Sequence, residues 1–461
     1  MRLTLGQIAD WIHAEGSFDT SAEAQGYSID SRTIGAGELF FAVKGERLDG
    51  HNYVAAALAN GAVAAVVSNA WLVPAEVDET KLLRVADCED CVLLSLQRLA
   101  HAVRRHWGRR VIGITGSAGK TTTKEAVALV LSARFQVLKS AGNLNNAFGV
   151  PLQLLRLEQE HEVAVIEMGM NHAGEITALA QIAEPNWAVV SNVGPVHIEF
   201  FPDGLDGIAK AKYELVASLP SNGIAFLNAD DAYVRTFGRG MGERAVFYGM
   251  SEAAEVRAEN LRELGAEGIL FDVVAEPKGE RAQVHLRLLG RHNVLNALAA
   301  ISVGLKSGIS LAACAEAIAE LQPADKRGEI LHWQGATVIN DSYNSNPRAL
   351  DAMIEALISM PAQRHIVIAG EMLELGSESE ALHAGCGRSM VERGVTTILG
   401  VRGHAATLVQ AALAAGGNAS FVTTPEEAGQ WMRVNLQPGD VVLLKASRGV
   451  RLEKALEQLQ G

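Results

Sequence analysis

GITGSAGKTTTKE (residues 113–125) is the stretch that decides how this chain is read. A run of β-forming residues, VIGIT (111–115), leads into glycines, then into Lys120, Thr121 and Thr122 at the start of a helix-prone stretch. Strand, glycine-rich turn and helix start are what a phosphate group needs. Backbone N–H groups converge on the anion, and the helix dipole favours negative charge there. Lys120 is placed to reach the outer phosphates of a nucleotide, and the Thr121 hydroxyl to ligate magnesium. The strict pattern G-x-x-x-x-G-K-[ST] is not met, because it needs glycine where Ile114 stands. Gly113, Gly116 and Gly119 make a variant loop, T-G-x-x-G-K-T-T. An ordinary glycine turn before a helix is the alternative; the lysine and threonines in register behind the last glycine argue against it.

Working outward, β-rich pieces recur between helical stretches: FQVLKS (135–140), EVAVIEMG (162–169), WAVVSNVG (187–194) and GIAFLNADD (223–231). Continuous apolar strands alternating with helices predict a mostly parallel sheet covered on both faces. Residues 253–290 read instead as alternating strands (GILFDVVAE, QVHLRLLG), which predicts an antiparallel appendage, and RHNVLNALAAISVGL (291–305) predicts a helix. From Pro323 the alternation resumes with ATVIND (336–341), RHIVIAG (364–370), VTTILGV (395–401) and DVVLLKAS (440–447), a second, smaller α/β unit of nucleotide-binding type. Ahead of the loop, short β-like pieces (GELFFAVKG, 37–45; VAAVVS, 63–68) mix with an alanine-rich helix (YVAAALANG, 53–61). The basic stretch RRHWGRR (104–110) reads as a linker, or equally as a solvated helix end. With roughly 100–200 residues per domain, the expectation is an α/β protein of three domains. Residues 1–107 form an N-terminal mixed α/β domain, 108–322 a central, mostly parallel-sheet P-loop domain, and 323–461 a C-terminal Rossmann-like domain.

The composition narrows the function classes. Apolar residues make up 48% of the chain, enough for several cores, but no apolar run approaches the roughly 20 residues of a membrane span. The first residues, MRLTLGQIADWIHAEG, carry acids and lack an apolar signal core, so a cytoplasmic protein without membrane insertion is expected. Net charge is -13 with no basic tail or arginine-rich strip, which argues against nucleic acid as the main partner. A negative protein that handles anions must gather positive charge locally, and Lys120 marks one such place. Cys88 and Cys91 form a C-x-x-C with no second pair to complete a zinc site; with Cys314 and Cys386 they are expected to be reduced and structural.

Further residues sit where chemistry is expected. The strand EVAVIE ends at Glu167, and an acid at the C-terminal end of a buried strand beside a phosphate loop is where a Mg²⁺ ligand belongs. His197 follows the strand WAVVSNVG on the same edge, with a metal or phosphate role. GIAKAKYEL (207–215) opens a helix bearing Lys210 and Lys212; two lysines there are ordinarily solvated. GNLNNAFGVP (142–151) offers amide oxygens to magnesium, a backbone anion nest, or a plain turn. In KASRGVRLEK (445–454), Lys445, Ser447 and Arg448 either face an anion at a helix N-terminus or simply cap that helix. In the first block, Ser31, Arg32, Lys44, Asp49, Gly50 and His51 cluster among glycines as a candidate anion or nucleotide site.

In their order along essentially the whole chain, these motifs resemble the Mur ligases, the ATP-dependent amide-forming family of bacterial cell-wall synthesis. TGSAGKTT is similar to the family's ATP loop, which accounts for the missed strict pattern and assigns Gly116, Ser117, Ala118, Gly119, Lys120, Thr121 and Thr122 to ATP. GNLNNAFGVP, EMGMNHAGEI, NVGPVHIE and AKAKYEL resemble successive family motifs around two Mg²⁺ sites. By that resemblance Glu167, with Asn143 or a near neighbour, holds one ion and His197 the other. Lys212 matches a lysine that many relatives carry as a carbamate, with Lys210 the fallback.

The resemblance further implies that Asn293 and Asn296 contact the adenine side, that Arg327 lies near the phosphates and Asp341 near the ribose. KASRGVRLEK then meets the incoming amine and the acyl chain, and DSRTIGAGELFFAVKGERLDGH (30–51) the UDP end. The implied reaction joins D-alanyl-D-alanine to a UDP-N-acetylmuramoyl-tripeptide through an acyl phosphate, in a monomer. The relative that adds the third peptide residue often carries D-N-P-R in its last domain, and that motif is absent here. GEMLELG (370–376) points the same way, although Glu371 stands where Asp is more familiar and Ala446 where Gly is. Folylpolyglutamate synthase shares the central design but not the first-block motif. A GTPase-like switch lacks support, since no N-K-x-D occurs.

Overall fold

In the computed structural model, which describes residues 1–45, 48–88 and 90–459, the pieces ahead of the glycine-rich loop form two small sheets. β1 (Leu3–Thr4) and β2 (Glu23–Ala24) pair antiparallel. β3 (Gly26–Ser28), β4 (Glu38–Phe41), β5 (Ala64–Ser68) and β6 (Leu82–Val85) pair parallel in that order. β5 is buried at every position, as a strand covered on both faces must be.

The basic stretch 104–110 is not a linker. Arg104 to Trp107 form the last turn of the helix Cys91–Trp107, Gly108 caps it in the left-handed conformation, and β7 (Arg110–Thr115) begins two residues later. Arg104 is buried and donates to the carbonyls of Ala183 and Glu184 and to Asn186 Oδ1, at 2.7, 3.0 and 3.3 Å. It thereby satisfies carbonyls left over at the end of the helix Glu175–Ala183. Arg110 stacks over the Trp187 ring at 4.0 Å. Of the charges that read as a solvated connector, Arg104 ties the first unit onto the second, and Arg110 stacks within the central sheet.

The central sheet has nine strands. β8 (Val137–Lys139), β9 (Val163–Glu167), β10 (Trp187–Val190), β11 (Ile224–Asn228) and β12 (Ala245–Gly249) join β7, followed by β13 (Val256–Glu263), β14 (Ile269–Ala275) and β15 (Glu280–Leu286), in the order β15-β14-β13-β12-β11-β10-β7-β9-β8. From β8 to β13 every pairing is parallel; β14 and β15 are antiparallel. The expected appendage is therefore an extension of the same sheet, continuous through β13. β7 alternates its faces. Ile112 and Ile114 pack toward the helices Lys120–Ser132 and Arg291–Lys306, and Val111 toward the opposite layer. A Cβ on Gly113 would lie 2.9 Å from Leu215 in that opposite layer, so glycine lets the helix Leu205–Ala217 sit close.

The third sheet, β16 (Glu329–Trp333), β17 (Ala336–Asp341), β18 (Arg364–Gly370), β19 (Thr397–Val401), β20 (Ala419–Val422) and β21 (Asp440–Lys445), has the order β16-β17-β21-β18-β19-β20, parallel except for β16. Apolar clusters cover both faces. No described helix is long and apolar enough to cross a membrane, and the four cysteines are free.

Replacing Arg104 by Ala should destabilise the protein by about 1–3 kcal/mol, since the buried Ala183 carbonyl loses its donor and two half-buried acceptors lose theirs. Replacing the neighbouring, largely exposed Arg105 should change stability by no more than about 0.5 kcal/mol. Unfolding midpoints of the two variants in urea would separate these outcomes.

Candidate active site

In open parallel sheets ligands bind beyond the C-terminal ends of the strands, where the chain order reverses. Here β7 lies between β9 and β10, and the loops after all three meet a cavity of about 440 Å³ that is also walled by the third sheet. The glycine-rich loop follows β7. Gly116 has φ +154°, and a Cβ there would stand 1.9 Å from Ser191 Oγ; Gly119 has φ +79°, and its Cβ would meet Asn296 Oδ1 at 2.6 Å. Only glycine fits either place. Asn192 pins the loop: its carbonyl accepts from Ser117 N and its Oδ1 from Ala118 N, at 3.0 and 2.9 Å. Lys120 opens the helix Lys120–Ser132 and donates to the Gly116 carbonyl at 2.8 Å. Burial lowers its ammonium below the ordinary lysine value, the Glu167 carboxylate opposes that shift, and Arg327 adds to it. Thr121 and Thr122 follow on the cavity wall.

Glu167, at the end of β9, is 1% exposed. Its Oε1 accepts from Asn145 Nδ2 at 2.8 Å and its backbone N–H donates to Ser140 Oγ at 3.1 Å, while Oε2 is buried without a partner. Asn143 lines the same wall. An orphaned buried carboxylate oxygen beside amide and hydroxyl oxygens is a hard-donor set that fits Mg²⁺. Mg²⁺ takes one or two carboxylates and fills its other positions with water and phosphate. Among the described residues no three His, Cys, Asp or Glu side chains converge on one point.

His197 follows β10 with φ 59°, a left-handed conformation rare for a residue with a side chain. Its Nδ1 lies 2.5 Å from Glu374 Oε2 of the third unit, off the direction of an aligned hydrogen bond. Burial lowers the His197 imidazolium, with Glu374 opposing and Lys120 reinforcing. The two lysines of the helix Leu205–Ala217 have opposite settings. Lys210 is exposed and pairs with Asp203 at 3.2 Å. Lys212 is 4% exposed, and its ammonium is lowered well below the ordinary value, first by burial and then by repulsion from Lys120. It lies behind the cavity wall, close enough to Lys120 for their charges to interact.

On the opposite side of the loop, Asn296 links Asn293 Oδ1 (2.9 Å) to Thr123 Oγ1 (3.0 Å), and both asparagines reach the cavity. His292 beside them is half-buried on the cavity wall with Nδ1 unpartnered, and burial pushes its imidazolium down to about 4. The third unit contributes Arg327, stacked over Tyr343 at 4.0 Å, and Arg448, 5.7 Å from the same ring. Asp341, at the end of β17, forms an ion pair with Lys445, at the end of β21. Ser447 accepts from Leu373 N at 2.9 Å. The segment after β21 makes a three-residue 3₁₀ turn, Arg448–Val450, before the helix Lys454–Glu457 starts at the last residue of the stretch, so Lys445, Ser447 and Arg448 stand ahead of the helix rather than capping it. Arg448 instead pairs with Glu453 at 2.6 Å, and Arg348 reaches across to the Val193 carbonyl at 3.0 Å and to Asp231 at 3.5 Å.

The first-block cluster is separate: none of its residues lines this cavity. His51 donates from Nδ1 to Asp49 at 2.7 Å and accepts from Ser68 N at 3.0 Å. Lys44 and Asp49 pair across a bridge, and a Cβ on Gly50 would strike the Ala42 and Val43 backbone at 2.6 Å. Ser31 accepts from Asn60, and Arg32 is held by Asp30 in a two-pronged contact at 2.6 and 2.9 Å. Glu46 and Arg47, within the quoted stretch, lie outside the described residues.

Sequence reasoning missed Asn145, Asn192, Arg348 and Glu374. Asn145 and Glu374 lay inside quoted motifs; Arg348 carried no signal, because its partner Asp231 is 117 positions away.

Three family models match in turn: the Mur ligase family catalytic domain over residues 23–104, the Mur ligase middle domain over 114–304, and the Mur ligase glutamate ligase domain over 326–448. The UDP-N-acetylmuramoyl-tripeptide–D-alanyl-D-alanine ligase of Escherichia coli is 36% identical over 99% of this chain and 98% of its own. The Bacillus subtilis enzyme of that name is 32% identical over 94% and 93%. Among solved structures, MurF from Acinetobacter baumannii superposes with a TM-score of 0.88 at 30% identity, covering 100% of this chain and 99% of that one. MurF ligase from Thermotoga maritima in complex with ADP gives 0.80 at 28%, covering 95% and 97%. Identity of this order along the whole chain leaves one conclusion: the chain belongs to the Mur ligase family.

Proposed function

We propose that this protein is an ATP-dependent ligase that joins D-alanyl-D-alanine to a UDP-N-acetylmuramoyl-tripeptide in peptidoglycan precursor synthesis. The observation that carries this is a single cavity in which a phosphate loop, an orphaned carboxylate oxygen at Glu167 and cations from a second sheet converge. The whole-length likeness to enzymes of that name supports the choice of substrates. Residues 1–107 take the UDP end, 108–322 the ATP, and 323–461 the incoming dipeptide. The protein acts as a cytoplasmic monomer.

A peptide carboxylate is a poor acyl donor, because its leaving group is oxide. In the first step its oxygen attacks the γ-phosphorus, the bond to the β-phosphate oxygen breaks, and ADP departs, leaving an acyl phosphate. The amine of D-alanyl-D-alanine then adds to the acyl carbon; the tetrahedral adduct loses its amine proton and expels phosphate. Bound Mg²⁺, two ions in this scheme, supplies charge neutralisation between the approaching anions.

The chain's own groups do the rest. Lys120 leaves the Gly116 carbonyl for the outer phosphates, and the loop amides orient them. Glu167, Asn143 and Thr121 hold one cation and His197 the other. Asn293, Asn296 and Asp341 place the nucleoside, and Arg327 sits near its phosphates. Lys445, Ser447 and Arg448 meet the amine component. Ser31, Arg32, Lys44, Asp49, Gly50 and His51 hold the UDP end. Lys212, whose ammonium is disfavoured first by burial and then by Lys120, is the lysine placed to take CO₂ as a carbamate, which would turn a cation into an anion. Lys210, exposed and paired, is not.

The decisive measurement uses tripeptide labelled with ¹⁸O in its terminal carboxylate. Label should appear in the released phosphate, and only when both UDP-muramoyl-tripeptide and D-alanyl-D-alanine are present. Unlabelled phosphate from a working enzyme would overturn the acyl phosphate. Lys120→Ala should lower kcat by about 10²–10³-fold or more with an unchanged melting temperature. Glu167→Gln should raise the Mg²⁺ concentration needed for half-maximal rate. Lys212→Ala should lose activity that millimolar-range short carboxylic acids partly restore; full unsupplemented activity would remove Lys212 from the mechanism.

A further inference from the structure

One charged group in the central unit has no part in the scheme above. Lys124 lies on the helix Lys120–Ser132, one turn beyond the loop, and is 0% exposed, among the largest side chains that are completely enclosed. A buried ammonium is costly, and replacing buried charge with a well-packed apolar side chain is often neutral or favourable for the fold. Stability of the core therefore does not account for the charge.

Its contacts do. Lys124 Nζ donates to the Ser140 carbonyl at 2.7 Å and approaches the Gly142 carbonyl at 3.4 Å, with Glu125 as counter-ion at 3.0 Å. Ser140 and Gly142 bracket the turn that leads from β8 into the asparagine-rich loop. Ser140 Oγ receives the Glu167 N–H, and Asn145, three residues past Gly142, donates to Glu167 Oε1. The ammonium thus holds, by its carbonyls, the one segment that touches Glu167 from both ends. We propose that Lys124 is a positioning residue for the cation site: it fixes the 140–145 loop so that Asn145 holds Oε1 of Glu167 and leaves Oε2 free on the cavity wall before any nucleotide arrives. This rests on the assignment of Glu167 and the asparagine loop to a divalent cation.

The test compares the parent protein with Lys124→Met and Lys124→Gln, the latter keeping one donor to the Ser140 carbonyl without the charge. Amide hydrogen exchange across 141–146 and Mn²⁺ affinity, read by electron paramagnetic resonance with a non-hydrolysable ATP analogue, are measured alongside melting temperature. Lys124→Met should fold, exchange these amides at least about tenfold faster and bind Mn²⁺ about tenfold more weakly, while binding the analogue alone as the parent does. Lys124→Gln should fall between. Parent-like exchange and Mn²⁺ affinity in either folded variant would overturn the proposal. So would failure of both variants to fold, which would make Lys124 a residue of the fold. Absence of Mn²⁺ binding by the parent would instead overturn the cation assignment itself.

Discussion

A phosphate and a carboxylate repel each other, and any site that brings them together must first assemble cations that repel each other too. The chain is acidic overall, at -13, yet Arg327 stands near enough to depress the Lys120 ammonium, and Lys120 near enough to depress that of Lys212. Buried like charges are tolerated only where carboxylates are interleaved with them. The interleaving is visible: Glu167 beside Lys120, Asp341 beside Lys445, Asp231 beside Arg348, Glu374 beside His197. These carboxylates sit at strand ends or in the loops just beyond them, because only there does a parallel sheet offer side chains that are rigidly held yet directed out of the apolar layers.

The same requirement explains why one sheet is not enough. The central sheet supplies the phosphate loop and Glu167 but leaves its edge open; the third sheet closes it with Arg327, Tyr343, Asp341 and Lys445. Two contacts span the gap directly, Arg348 to Asp231 and the Val193 carbonyl, and Glu374 to His197. Both end on the segment after β10 or on the buried acid that supports it, since Asp231 Oδ2 also accepts from Val193 N at 3.0 Å. Closing the third unit thus bears on the loop that carries His197. An activated acyl group needs such closure, because water in an open cleft would compete with the amine.

Much of this was legible in the residues. β7, the loop after it, Glu167 and His197 follow from runs of β-formers ending in glycine or in a single polar residue, a pattern set by burial on both faces of a strand. Legibility failed where a role depends on a partner far along the chain. RRHWGRR looks solvated by composition, yet Arg104 is buried because carbonyls near residue 184 need donors. Lys124 looks like any helix lysine until the Ser140 and Gly142 carbonyls are seen around it. Lys210 and Lys212, two positions apart, differ only in which side of one helix each occupies. The start of KASRGVRLEK failed for another reason: its basic residues suit a helix cap, but Arg448 turns instead to Glu453 in a 3₁₀ turn.

Asp341 and Lys445 carry the last step of the argument. The family resemblance gives them to different ligands, ribose to one and the amine component to the other, but the structure joins them as one ion pair, with Lys445 also donating to the Asn344 carbonyl at 3.0 Å. Lys445 is 3% exposed, so in the proposed scheme it meets the amine component from where it stands, with its charge still neutralised by Asp341. In that scheme the nucleoside and amine subsites therefore share one electrostatic element, the Asp341–Lys445 ion pair.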